Sequence, residues 1–215
     1  MRGRDRIGRR RATLGLAATL AVGGCQGLLP GPQKPLRIYT LTPKTTYPEA
    51  LPKVGWQLVV ELPVAPAGIN TNRIALTRTL TTIDYYADAS WTDSAPEMVQ
   101  NLLVESFETT GRILAVGRES VGLRADYVLK TELREFQAEY KSPDATPRAH
   151  VRLIGKLVRM PQREIVATTT AEEFAPASAN TLNDVVDAFD EALGVVLKRM
   201  VVWALTAVPP EPRRV

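Results

Sequence analysis

Apolar and polar residues recur along this chain with two different periods, and the switches between them mark out its elements. Residues 36–43, LRIYTLTP, and 55–63, GWQLVVELP, are short runs rich in β-formers and bounded by Pro and Gly, the pattern of strands. Residues 73–91, RIALTRTLTTIDYYADASW, read as two strands around a polar turn at 79–82. The period then lengthens. Ser94 and Glu97 stand at capping-box spacing, Pro96 lies in the first turn and Gly111 follows as a C-cap. Met98, Val99, Leu102, Leu103 and Ser106 share one face, so an amphipathic helix is expected from Ala95 to Gly111.

A further strand is expected at 113–116 and a long one at 126–140, with Tyr127, Leu129, Thr131 and Leu133 on one side. Phe136 breaks that parity, which predicts a bulge between Leu133 and Phe136. Residues 149–160 and 163–174 read as a hairpin turning at Pro161-Gln162. Last comes a helix over 182–205. Its Val185, Phe189, Ala192, Val196, Met200 and Trp203 fall on one face, with Asp187, Asp190, Glu191 and Lys198 largely opposite. Val201, Val202 and Leu205 leave that stripe, so the last turns are apolar nearly all round. A contact with lipid or a partner, or cover by the returning tail, would account for them. The fold class that follows is α+β: a mostly antiparallel β-sheet with two amphipathic helices packed on one face, as a single domain over 36–206. Residues 207–215 form a Pro-rich tail.

The N-terminal end follows neither period. Residues 1–11 carry six arginines and one Asp, residues 12–22 are uncharged and apolar, and Gly23 and Gly24 precede the single cysteine, Cys25. A basic segment, a short apolar segment and small residues make a secretory signal peptide over 1–24. The apolar run is shorter than the ~20 residues a spanning helix needs. Val22-Gly23-Gly24-Cys25 resembles a bacterial lipobox, in which the Cys thiol receives a diacylglyceryl group, the preceding peptide is removed and the new N-terminus is acylated. An ordinary secreted protein cut nearby is the alternative. Lipidation accounts for a thiol that can close no internal disulfide and has no metal-ligand spacing around it. Two or more acyl chains would hold the mature chain stably on a membrane surface. Gln26 stands where lipoproteins kept at the inner membrane typically have Asp, so the periplasmic leaflet of the outer membrane is expected. Residues 25–35 then form a tether rich in Pro and Gly, reaching up to ~30 Å.

Processing also alters the charge. Six of the 27 basic and one of the 23 acidic residues lie in the signal peptide, which leaves 21 against 22 and turns +4 into about −1. The pI of about 9.3 therefore belongs to the signal peptide. No clustered basic footprint remains, so nucleic acid is not an expected partner.

Candidate chemistry is sparse. His150, the one histidine, sits in a strand pattern and reads as an exposed strand residue, and no serine lies in a G-x-S-x-G. Asp187, Asp190 and Glu191 read as the solvated side of a helix rather than a metal site. There is neither GxGxxG nor GxxxxGK[ST]. No catalytic residue, cofactor or metal is expected, and the protein is not expected to be an enzyme. The block that stands out is 62–113, where Arg73, Tyr85, Tyr86 and Trp91 precede the first helix. They read as a structural corner or as a partner contact.

This block, with the early strand, resembles the ABC-type transport auxiliary lipoprotein family. The resemblance rests on Tyr39-Thr40-Leu41, Arg73-Ile74, Tyr85-Tyr86 with Trp91, the helix leading to Gly111, and YVLKTELREF at 127–136. It covers essentially the whole mature chain. It implies a lipoprotein partner of MCE-domain ABC systems of the Pqi, Mla or toluene-tolerance type, which move phospholipids or other apolar molecules between two membranes. The implied partners are an MCE-domain periplasmic protein, the membrane through the lipid anchor, and further copies of the chain in a homo-oligomer. The implied role is docking or bridging. A lipid-binding carrier with its own apolar cavity and a lipoprotein activator of an envelope enzyme are the competing expectations.

Overall fold

The computed structural model describes residues 35–208 apart from 120, 121, 123, 143 and 144. Cys25, the signal peptide, most of the tether and the tail from 209 lie outside them. In chain order the elements are β1 (Arg37–Tyr39), β2 (Gln57–Val60), β3 (Arg73–Thr79), β4 (Thr82–Trp91), α1 (Ala95–Thr110), β5 (Ala115–Arg118), β6 (Tyr127–Glu139), β7 (Arg148–Arg159), β8 (Glu164–Pro176) and α2 (Leu182–Ala207).

β6 organises one curled, mixed sheet of eight strands. β7 pairs antiparallel along its whole length, and β8 pairs antiparallel with β7. The other edge of β6 is shared. β2 lies parallel to its start, with Leu58 opposite Tyr127, and β3 lies parallel to its end, with Leu76 opposite Ala138. Val64 bridges the gap at Glu132. β5 adds parallel to β2, β4 antiparallel to β3 and β1 parallel to β4. The expectation of a mostly antiparallel sheet is thus corrected. Side-chain alternation has period two in both kinds of ladder, so it signals strands without naming their partners or directions. The crossover that carries the chain from β4 through α1 to β5 is not legible in that period.

Local signals fare better. In α1 the Ser94 N–H donates to Glu97 Oε2 at 3.3 Å and its hydroxyl donates to the same oxygen at 2.7 Å. Gly111 ends the helix at φ 59°, in the left-handed region a glycine enters at no steric cost. The expected bulge is present as a register shift between Leu133 and Glu135. It restores parity, so Tyr127, Leu129, Leu133, Phe136 and Ala138 all point into the core. The hairpin turns at residues 160–163.

α2 packs on β7 and β8, α1 on β2 and β5, and the helices touch each other. Close approach is forced at Gly155 of β7, where a Cβ would collide with Met200 Cε. Val201 and Leu205 are wholly buried and Val202 is half-buried. They do leave the first stripe, and cover within the fold, rather than an open face, accounts for Val201 and Leu205. A curled sheet and a second helix enclose α2 over more than one face, so Val186, Leu193, Leu197, Val201 and Leu205 form a second buried row. No described helix is long and apolar enough to cross a membrane.

Candidate functional site

The segment after β1 is laid across both helices by side-chain hydrogen bonds. The Tyr39 hydroxyl donates to Asn183 Oδ1 at 2.8 Å. The Thr42 N–H donates to Asp190 Oδ1 at 2.6 Å, and the Thr42 hydroxyl reaches Asp190 Oδ2 at 2.8 Å. The Lys44 N–H donates to Ser106 Oγ at 2.9 Å, and the Tyr47 hydroxyl donates to the Ser106 carbonyl at 3.0 Å. Burial raises the Tyr47 hydroxyl above its ordinary value despite opposing hydrogen bonds with Ser106 and Thr109. It remains a neutral donor at physiological pH. Residues 39–47 thus form a strap that fixes the exit of the N-terminal segment to α1 and α2.

The four residues singled out in the sequence divide three ways. The Arg73 guanidinium lies over the Tyr85 ring, 3.7 Å from its centroid, and the Tyr85 hydroxyl donates to the Gly68 carbonyl at 3.1 Å. Tyr86 turns elsewhere. Its hydroxyl is 2.8 Å from that of Tyr140, which donates onward to Asn180 Oδ1 at 2.9 Å, just ahead of α2. Burial first, and then the hydrogen bond with Tyr140, push the Tyr86 hydroxyl far above its usual value. Trp91 is 1% exposed and lies in the core, edge-on to Phe189 at 5.3 Å and tilted against Phe136 at 5.8 Å. The arrangement ties the β3–β4 hairpin to β6, α2 and the 66–70 loop.

The sheet face turned away from the helices is a ladder of charge pairs. Lys130 meets Glu61 at 2.6 Å, Lys156 and Arg134 meet Glu132, and Arg152 meets Glu135 at 2.8 Å. His150 belongs to this ladder and corrects the expectation of an exposed strand residue: it is 7% exposed. Its Nδ1 lies 2.6 Å from Glu139 Oε1, its Nε2 lies 2.7 Å from Glu172 Oε1, and its ring stacks on Phe174 at 4.0 Å. Neither ring nitrogen is left open. Burial pushes the Glu139 carboxyl up, but hydrogen bonds from Arg148 and His150 outweigh it and hold the group below its ordinary value.

Two grooves open on this side. One of about 920 Å³ at the β7–β8 turn is lined by Val59, Val128, Met160, Arg124, Asp126 and Lys130. The other, about 600 Å³, lies beneath the β3–β4 hairpin between Ile69, Ile83, Arg78, Arg134, Glu139 and Tyr140. Among the described residues no group of three or more His, Cys, Asp or Glu is placed to hold a metal ion. Asp187 and Glu191 face solvent and Asp190 is taken up by the strap.

Comparison with known proteins places this architecture. The model of the family described as ABC-type transport auxiliary lipoprotein component matches residues 39–201. The chain belongs to that family. The family is described as a lipoprotein component auxiliary to ABC-type transport. The crystal structure of protein XCC0632 from Xanthomonas campestris is 33% identical, with a TM-score of 0.74 over 79% of this chain and 95% of that one. A second solved structure shares the fold at 12% identity and a TM-score of 0.61, over 78% of this chain and 97% of the other. Protein bll6063 of Bradyrhizobium diazoefficiens is 28% identical over 172 residues, or 78% of this chain. The chain spans 44% of the length of that curated relative. The matched region of the family begins at Tyr39, the first residue of the strap.

The strap itself was not legible beforehand. The helical pattern assigns Asp190 to the solvated face, and its partner Thr42 lies 148 residues away. A local signal exists for Tyr39 alone, inside the YTL strand.

Proposed function

We propose that this protein is a lipid-anchored docking subunit, without catalytic activity, of an MCE-domain ABC system that moves lipids or other apolar molecules between the inner and outer membranes. The observation that carries this reading is the family match across residues 39–201. It joins a body whose N-terminal exit is strapped to both helices, as a tethered adaptor requires. Cys25, in its lipobox context, supplies the anchor, and Gln26 favours the periplasmic face of the outer membrane. A carrier needs a pocket walled mainly by apolar side chains. The groove at the β7–β8 turn is walled by Glu61, Arg124, Asp126, Lys130 and Arg163 among its apolar residues, which favours docking over carriage there.

The test is affinity purification of the tagged full-length protein from its native envelope, with mass spectrometry of the co-eluting proteins and of Cys25. An MCE-domain protein together with a triacylated Cys25 is the expected result. Phospholipid recovered in roughly molar ratio with no protein partner would overturn the docking role in favour of a carrier. A Cys25→Ala form with a cleavable signal should be released from the membrane and lose function. Full function in that soluble form would refute the anchored adaptor.

A further inference from the structure

The β3–β4 hairpin ends in a side chain that its turn chemistry does not call for. Leu80 follows the Thr79–Thr82 pair that closes the turn, with hydroxyls 2.7 Å apart, and it is 106% exposed. Ile83 beside it is 46% exposed. Two-residue hairpin turns usually select Gly, Asn or Asp. Scattered exposed leucines are ordinary, but three further features of this one converge.

The first is rigidity. Ile83 Cδ1 lies 2.7 Å from where a Cβ on Gly68 would stand, so the hairpin rests directly on the 66–70 loop. Tyr85 and Tyr86 brace it from below through Gly68 and Tyr140. The second is direction. β1 runs parallel to β4 with Arg37 opposite Ala89, so the N-terminal end of β1 faces toward the hairpin tip. Seven residue steps from Ala89 to Thr82 carry the tip roughly 23 Å further that way. The ten residue steps from Cys25 to Pro35 extend roughly 30 Å, so the tip can meet the surface in which a lipidated Cys25 is embedded. The third is charge. Arg78 flanks the tip, paired with Asp84 at 3.6 Å and lying over the Tyr140 ring at 5.2 Å, and exposed Lys141 follows β6 at the same end. Apolar side chains at the tip with cations just behind suit a phospholipid headgroup layer.

We propose that the β3–β4 hairpin tip, led by Leu80 and Ile83 with Arg78 and Lys141 behind, dips into the headgroup layer of the leaflet that holds the Cys25 acyl chains. The body then has a second, non-covalent contact with the membrane that sets its tilt. This inference rests on the lipid anchor of the proposed function and not on the identity of the transport partner.

The experiment uses the full-length lipidated protein carrying Leu80→Cys, labelled with an environment-sensitive dye and reconstituted through its own anchor into phosphatidylethanolamine–phosphatidylglycerol vesicles. Thr168→Cys, on exposed β8, is the reference position. The dye at 80 should shift to the blue and be quenched by shallow nitroxide lipids, while the dye at 168 should do neither. Emission at 80 equal to that at 168 would overturn the proposal. A blue shift without nitroxide quenching would overturn it too, since it would mean that a protein surface or a second copy covers the tip. The mass of Cys25 in the same sample separates the two readings. A lipidated protein with residue 80 in water refutes the hairpin contact alone, whereas an unlipidated Cys25 refutes the anchor and the contact together.

Discussion

Removing the Asp190 carboxylate isolates the strap. In the folded protein this one side chain accepts from the Thr42 N–H at 2.6 Å and from the Thr42 hydroxyl, joining the segment after β1 to the middle of α2. Hydrogen bonds to a charged group contribute about 1.5–3 kcal/mol each when well shielded. Asp190 is half-buried and Thr42 exposed, so the lower end applies to the pair, about 1.5 kcal/mol. The better helix propensity of Ala returns a few tenths of that. For a domain of this size Asp190→Ala should lower Tm by ~2–5 °C. The loss is local. Amide exchange at Thr42 should therefore accelerate by about tenfold, while exchange in β6 and β7 follows the global change alone. Asp190→Asn, which keeps an oxygen acceptor without the charge, should fall between. Glu191→Ala, exposed on the next position of the same helix, should stay within about 0.5 kcal/mol of the parent. If Asp190→Ala and Glu191→Ala were indistinguishable in both melting and exchange, the strap would hold nothing and the tether exit would be loosely attached.

Two other perturbations probe the core and the outer face. Phe189→Ala removes the ring that lies 5.3 Å from Trp91 and 5.1 Å from Phe136. It should cost about 3–5 kcal/mol and lower Tm by more than about 6 °C; a fall of under 2 °C would refute the aromatic cluster as the centre of the core. Glu139 is held below its ordinary value in the folded state. Its contribution is therefore complete above the unfolded carboxylate value of about 4.3 and is lost as pH falls through the lower folded value. Glu139→Gln should flatten the decline of Tm in that acid window relative to the parent, and an unchanged slope would count against the His150–Glu139–Arg148 cluster.

Sequence alone determined what depends on neighbours close in the chain. Ser94, Glu97, Pro96 and Gly111 delimit α1 because caps act over three or four residues. Phe136 reveals the bulge because side-chain parity is a local count. The Arg73 to Trp91 block marks the family, supported by a match over residues 39–201, while the lipobox expectation at Cys25 falls outside the described residues. Tertiary structure decided whatever depends on partners far apart. Parallel pairing of β2 and β3 along one edge of β6 leaves the same alternation as an antiparallel pair would. Burial of Val201 and Leu205 follows from a sheet that curls around α2, a curvature no single helix encodes. His150 is enclosed because Glu139, Glu172 and Phe174 arrive from three positions in two neighbouring strands, and Asp190 becomes a strap point only when Thr42 is folded onto it. Local periodicity reports which side of an element is apolar; what that side meets is set by the free energy of closing the whole chain around it.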